Sequence, residues 1–125
     1  MHATAVCIIA GAFHWALNVN AFTLAWTHSI EKVRWEEDYR LDDRVLVLEA
    51  ARIRGSGAGM EPPPDAVLRD GAWHYQPPHA RFPRLVLANS SFGGHYDICV
   101  AGECRPLPTT REGSSAPTVI EPCES

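Results

Sequence analysis

At 125 residues, with 46% hydrophobic side chains and a formal net charge of −4, the chain has the material for one domain with a real core. Lys32 is the sole lysine among eleven basic residues and no basic stripe is present, which excludes a nucleic-acid binder. Ten prolines and nine glycines, with no long run of helical period, point to short elements joined by turns.

Segment 1–21, "MHATAVCIIAGAFHWALNVNA", has no acidic residue, lysine or arginine and is apolar from Ala3 to Leu17. An apolar stretch of roughly 20 residues reads as a signal-peptide core or a marginal membrane anchor. Val19 and Ala21 then stand at −3 and −1 of a cut before Phe22. The basic n-region is missing, and the competing reading is a buried N-terminal helix of the domain. The division expected is therefore a leader or anchor at 1–21, a β domain at 22–107 and an extended tail at 108–125.

Phe22–Ser29 and Trp35–Leu41 alternate as strands. The first puts Phe22, Leu24, Trp26 and His28 on one face; the second puts Trp35, Glu37, Tyr39 and Leu41 on one face, with Glu36, Asp38 and Arg40 opposite. Closed as a hairpin through Ile30–Val33, they set His28 opposite Trp35, Trp26 opposite Glu37 and Leu24 opposite Tyr39. His28 and Glu37 become diagonal neighbours on an otherwise oily face. A buried carboxylate and a buried imidazole are each costly alone and satisfy each other when paired. That pair serves either to fix the register or as a dyad in which His28 is base or ligand and Glu37 orients it. Glu31 beside His28 suggests a divalent-metal site, but two or three ligands make too thin a set, and no metal or other cofactor is expected. Ser29 points away from His28 and is no catalytic serine.

Arg44–Ile53 is a third strand, rich in valine and leucine. The loop "RGSGAGMEPPP" (54–64) lacks the lysine and serine of a phosphate-binding loop and runs into prolines rather than a helix. Its Gly57 and Gly59 suit a backbone turn. "AVLRDGAWHYQ" reads as a hairpin turning at Asp70-Gly71. Arg84–Ala88, His95–Val100, Glu103–Leu107 and a short strand at Thr118–Ile120 follow. In "YDICVAGECRPL" a turn at Ala101-Gly102 pairs Val100 with Glu103 and Cys99 with Cys104, close enough for a cross-strand disulfide and hence an oxidising compartment. A Cys104–Cys123 bond and free thiols stay open as alternatives, and Cys7 would leave with a signal peptide. The fold expected is all-β, a single small antiparallel sandwich or partly open barrel of seven or eight strands.

Three stretches together, "WTHSIEKVRWEEDYRL" (26–41), "RGSGAGMEPPP" (54–64) and "YDICVAGECRPL" (96–107), resemble the bacterial family known as domain of unknown function 1850. His28, Ser29, Glu31, Lys32, Glu37, Ser56, Gly57, Ala58 and Gly59 occupy the positions of its motifs. The resemblance implies a small exported or anchored protein, periplasmic or facing the periplasm. Such proteins are often encoded beside tripartite transporters whose solute receptors are called TAXI proteins. Its partner would then be a transporter component or a small solute, and membrane association would run through 1–21. The function expected first is a non-enzymatic accessory or binding protein. A small hydrolase or metal-dependent enzyme built on His28, Glu31 and Glu37 is the second. A structural interaction module that meets its partner through Trp26, Trp35, Trp73 and Tyr75 is the third.

Overall fold

The computed structural model describes residues 3–27, 33–54, 64–78, 80–87, 96–107 and 116–124. Among them are twelve strands and no helix. The strands are β1 (Ala5–Ala10), β2 (Phe13–Leu17), β3 (Ala21–Thr27), β4 (Arg34–Asp42), β5 (Val45–Arg54), β6 (Val67–Arg69), β7 (Ala72–Tyr75), β8 (Ala80–Phe82), β9 (Leu85–Leu87), β10 (Tyr96–Val100), β11 (Glu103–Pro106) and β12 (Thr118–Cys123). They form two antiparallel sheets. One has four strands in the order β2-β1-β12-β9; the other has the order β11-β10-β3-β4-β5-β7-β6, with β8 also paired to β5. The sheets pack as an open sandwich and do not close into a barrel.

The core lies between them. Val6, Ile8 and Ile120 of the smaller sheet meet Phe22, Leu24, Tyr39, Leu46, Leu48 and Ile98 of the larger, and Leu85 and Leu107 complete the cluster. Each aliphatic side chain taken fully out of water contributes about 1.5–3 kcal/mol, so this layer holds the two sheets together. The larger sheet's inner face changes parity at a bulge between Asp38 and Tyr39, where Glu49 of β5 has no residue of β4 directly opposite it. Leu46 and Leu48 face inward before it, Ala51 and Ile53 after it.

Both short hairpins form at the turns expected. Asp70 and Gly71 have φ of 53° and 77°, and Ala101 and Gly102 have 53° and 84°. Positive φ at both central residues is the turn whose twist matches the flanking strands. A side chain at Gly71 or Gly102 would meet open space, so glycine is needed there for its backbone alone. Val100 pairs with Glu103 and Cys99 with Cys104, and the Cys99–Cys104 disulfide is formed.

Strands also form on both sides of residues 22–107. Residues 5–17, expected as leader, anchor or buried helix, are the hairpin β1–β2; the tail, expected to be extended beyond a short strand, supplies the whole of β12. These two ends of the chain pair with each other, Ile8 opposite Ile120, and Cys7 is bonded to Cys123. The apolar N-terminal run is therefore core: Val6, Ile8 and Ala10 alternate inward. A Cys104–Cys123 bond and free thiols are both ruled out, because all four cysteines are paired otherwise. Two disulfides mark an oxidising environment. Among the described residues no helix is long and apolar enough to cross a membrane.

Candidate functional site

Strands β3 and β4 share a face as their alternation demands, but in a register two residues away from the one expected. Trp26 lies opposite Trp35 and Leu24 opposite Glu37, where the hairpin reading set Trp26 against Glu37 and Leu24 against Tyr39. A slip of two keeps every side chain on its face, so the periodicity is satisfied equally by both registers. What decides is aromatic pairing. The indoles of Trp26 and Trp35 stack with centroids 6.1 Å apart and planes 6° from parallel, and Phe22 stacks on Tyr39 at 5.4 Å. Such pairs add about 0.5–1.5 kcal/mol each beyond their burial.

The register assembles a row of large side chains across the sheet near one end. Tyr96 faces Trp26, Trp26 faces Trp35, Trp35 faces Ile53 and Ile53 faces Trp73. The neighbouring row runs Ile98, Leu24, Glu37, Ala51, Tyr75. Trp26, Trp35, Trp73 and Tyr75, singled out from sequence as contact residues, thus lie in two neighbouring rows on one face, with Ile53 between Trp35 and Trp73. Ile53 is buried, whereas the four aromatics are half-buried.

Glu37 is the one acidic residue in these two rows. Tyr39 Oη donates a hydrogen bond to its Oε1 at 3.1 Å. Burial pushes the Glu37 carboxyl above its ordinary value, and the Tyr39 bond offsets this only in part. The same burial, with the Glu37 charge and hydrogen bond, pushes the Tyr39 phenol well above its usual range. Tyr75 is raised by burial and then by the Glu37 charge. Tyr39 therefore stays protonated and acts as a donor.

A raised carboxyl means that the folded protein holds a proton the unfolded chain releases. Stability then falls as pH rises from the unfolded value through the folded one. Glu37→Gln, which can still accept from Tyr39, should raise the urea midpoint at pH 7 and leave it nearly unchanged at pH 4. Paired denaturation curves at the two pH values check this.

The opposite face of the same strands carries an ion network that the alternation of β4 placed outward but did not connect. Arg52 holds Asp38 with both terminal nitrogens, at 2.6 and 2.7 Å, and Thr23 Oγ1 donates to Asp38 at 2.6 Å. Glu36 accepts from Arg54 Nε at 2.7 Å and Arg52 Nε at 3.3 Å, with Arg34 Nε at 3.6 Å. Arg34 also lies 3.7 Å from Asp97. Burial works upward on the Glu36 and Asp38 carboxyls and is outweighed. The bonds and charges of Arg54 and Arg52 lower Glu36, while Arg52, the Thr23 hydroxyl and the His74 charge lower Asp38. Ala25 and Ala72 lie fully buried on this face, so the arginine stems roof the sheet. The Arg-x-Arg spacing of 52 and 54 was the available signal, but the partners depend on the bulge.

Arg52→Ala should cost about 2 kcal/mol at pH 7, since it takes both guanidinium bonds from the part-buried Asp38 carboxylate and one of the partners of Glu36. Both have lowered values, so their contribution exists above the unfolded carboxylate range and is lost as pH falls through the folded values. The difference from wild type should shrink accordingly at pH 3, as measured by urea midpoints.

His28, Ser29, Glu31, Lys32, Ser56, Gly57 and Gly59 lie outside the described residues, so of the polar sequence candidates in the two motif segments and β4, Glu37 alone has a described environment. Among the described residues no three histidine, cysteine or acidic side chains are grouped to hold a metal ion. Chain connectivity does relate the two candidate segments. Thr27, Arg34 and Arg54 stand in one cross-strand line, so β3 and β5 both end on the side of the sheet that bears Trp26, Trp35 and Ile53, and the chain continues from there into the two candidate segments.

No curated protein and no solved structure matches the chain. Residues 22–107 match the family described as Domain of unknown function (DUF1850). The match covers well over half of the chain and takes in β3 through β11, with the aromatic rows, Glu37 and both motif segments; the chain belongs to that family.

Proposed function

We propose that the chain is a non-enzymatic binding module of the periplasm, an accessory to a tripartite solute transporter. Its contact surface is the end of the larger sheet's inner face. The observation that carries this reading is the juxtaposition of Tyr96, Trp26, Trp35 and Trp73 in one row with a half-buried Glu37 in the next. Half-buried aromatics supply large contact area at low entropic cost, and a single carboxyl among them supplies orientation and selectivity. His28, Ser29, Glu31 and Lys32 on one segment, and Ser56, Gly57 and Gly59 on the other, belong to the same site in this proposal, because the strands that lead into them, β3 and β5, both end there.

Binding is favoured over catalysis by the partner of Glu37. Its described hydrogen bond comes from a phenol held firmly protonated, which neither activates a nucleophile nor relays a proton near neutrality. Periplasmic residence accords with the two disulfides.

Chemical cross-linking of the tagged protein in its native host tests the proposal. A TAXI-type solute receptor or a membrane subunit of the transporter should be recovered, and Trp35→Ala, folded by circular dichroism, should reduce the yield at least about tenfold, the loss of one hot-spot contact. Recovery of neither component, or equal yield from the variant, would refute it.

A further inference from the structure

We infer that the Cys99–Cys104 bond is a thiol–disulfide exchange site, open to a dithiol reductant, whereas Cys7–Cys123 is a structural staple. The two bonds differ in placement. Cys7 and Cys123 join neighbouring strands in the middle of a sheet, with Cα atoms 5.8 Å apart. Cys99 and Cys104 are directly opposite each other across a two-residue turn, with Cα atoms only 3.9 Å apart, on the hairpin whose outer strand β11 is the sheet edge. Disulfides usually span Cα separations of about 4.4–6.8 Å, and exposed or strained ones are the labile ones.

The two sulfurs are also unequal. Cys104 is exposed and Cys99 is buried, so an incoming thiolate has access to one of them. Arg34 stands beside the exposed one: its Nη2 lies 3.9 Å from Cys104 Sγ. The same guanidinium is held by Asp97 at 3.7 Å and Glu36 at 3.6 Å, so its position does not depend on the sulfur. A fixed cation next to a sulfur stabilises its thiolate.

The chemistry follows from this geometry. One thiolate of the dithiol attacks Cys104 Sγ; a new S–S bond forms there, the Cys99–Cys104 bond breaks, and Cys99 leaves as a thiolate that takes up a proton. The second thiol of the reductant, as its thiolate, then attacks its own sulfur in the mixed disulfide. That step releases the Cys104 thiolate beside Arg34 and leaves the reductant as a disulfide. The two electrons come from the dithiol, which is oxidised as the protein's bond is reduced. Among the described residues β11 has no strand on its outer side, so the bond is one of the ties holding this edge, which leads into the buried Leu107.

The test uses the full oxidised chain. Brief treatment with dithiothreitol, followed by alkylation and peptide mass spectrometry, should label Cys99 and Cys104 at least about tenfold faster than Cys7 and Cys123, in line with the lability of exposed bonds. Treatment with a monothiol, glutathione, should place the mixed disulfide on Cys104. In a Cys99→Ser background, Arg34→Gln should shift the pH dependence of Cys104 alkylation upward, which a purely structural arginine would not do. Equal labelling of the two bonds, an adduct on Cys99, or an unshifted alkylation profile would each overturn the assignment.

Discussion

Replacing Cys7 and Cys123 together by serine should lower stability by about 4 kcal/mol, roughly twice the loss expected from replacing Cys99 and Cys104. The reason lies in the unfolded chain. The first bond joins residues 116 apart, and the second joins residues only five apart. Loop-closure entropy grows with the logarithm of that separation, so the long bond removes far more freedom from the denatured state. Its folded-state role points the same way. It ties β1, which contributes Val6 and Ile8 to the core, to β12, which contributes Ile120. Urea midpoints of the two double variants against the oxidised wild type give the comparison. An equal loss in both would mean that the N-terminal hairpin is not held as described.

Leu24→Ala should cost about 3 kcal/mol, the lost transfer energy plus the cavity left behind. Leu24 is buried between Ile98 and Glu37 in the cross-strand row, in the layer that contacts the smaller sheet. The deletion would open space directly beside the Glu37 carboxyl. The contrasting control is Val86→Ala on β9, a site 58% exposed, which should change stability by less than about 0.5 kcal/mol. Thermal and urea unfolding of the two variants, run side by side, check the pair.

How much of this was legible in the sequence varies with the range over which each decision is made. The hairpins at Asp70-Gly71 and Ala101-Gly102 were readable because the turn residues themselves set the pairing, and with it the Cys99–Cys104 bond. The inward faces of β3 and β4 were readable from a period of two. Their register was not, since shifting the strands by two leaves the pattern intact and the aromatic stacking that chooses between registers is not a property of either strand alone. The N-terminal hairpin was hidden for a different reason. Ile9 is as apolar as the inward Ile8, so no alternation shows and an uninterrupted oily run imitates a leader. The Cys7–Cys123 bond has no local signal at all.

For the site, Glu37 and the four aromatics were readable as misfit and contact residues, while their arrangement into two rows required the register. The Arg52–Asp38–Glu36 network required still more, because the bulge at Asp38 and Tyr39 decides which β5 side chains face it.

The binding face is tested most directly by isothermal titration of the purified protein with a purified TAXI-type solute receptor, solute-loaded and solute-free, using wild type, Glu37→Gln and Trp26→Ala. Saturable binding by the wild type, weakened at least about tenfold by Trp26→Ala while the variant still melts cooperatively, is the predicted result. No heat with either form of the receptor, or equal affinity in all three proteins, would contradict it.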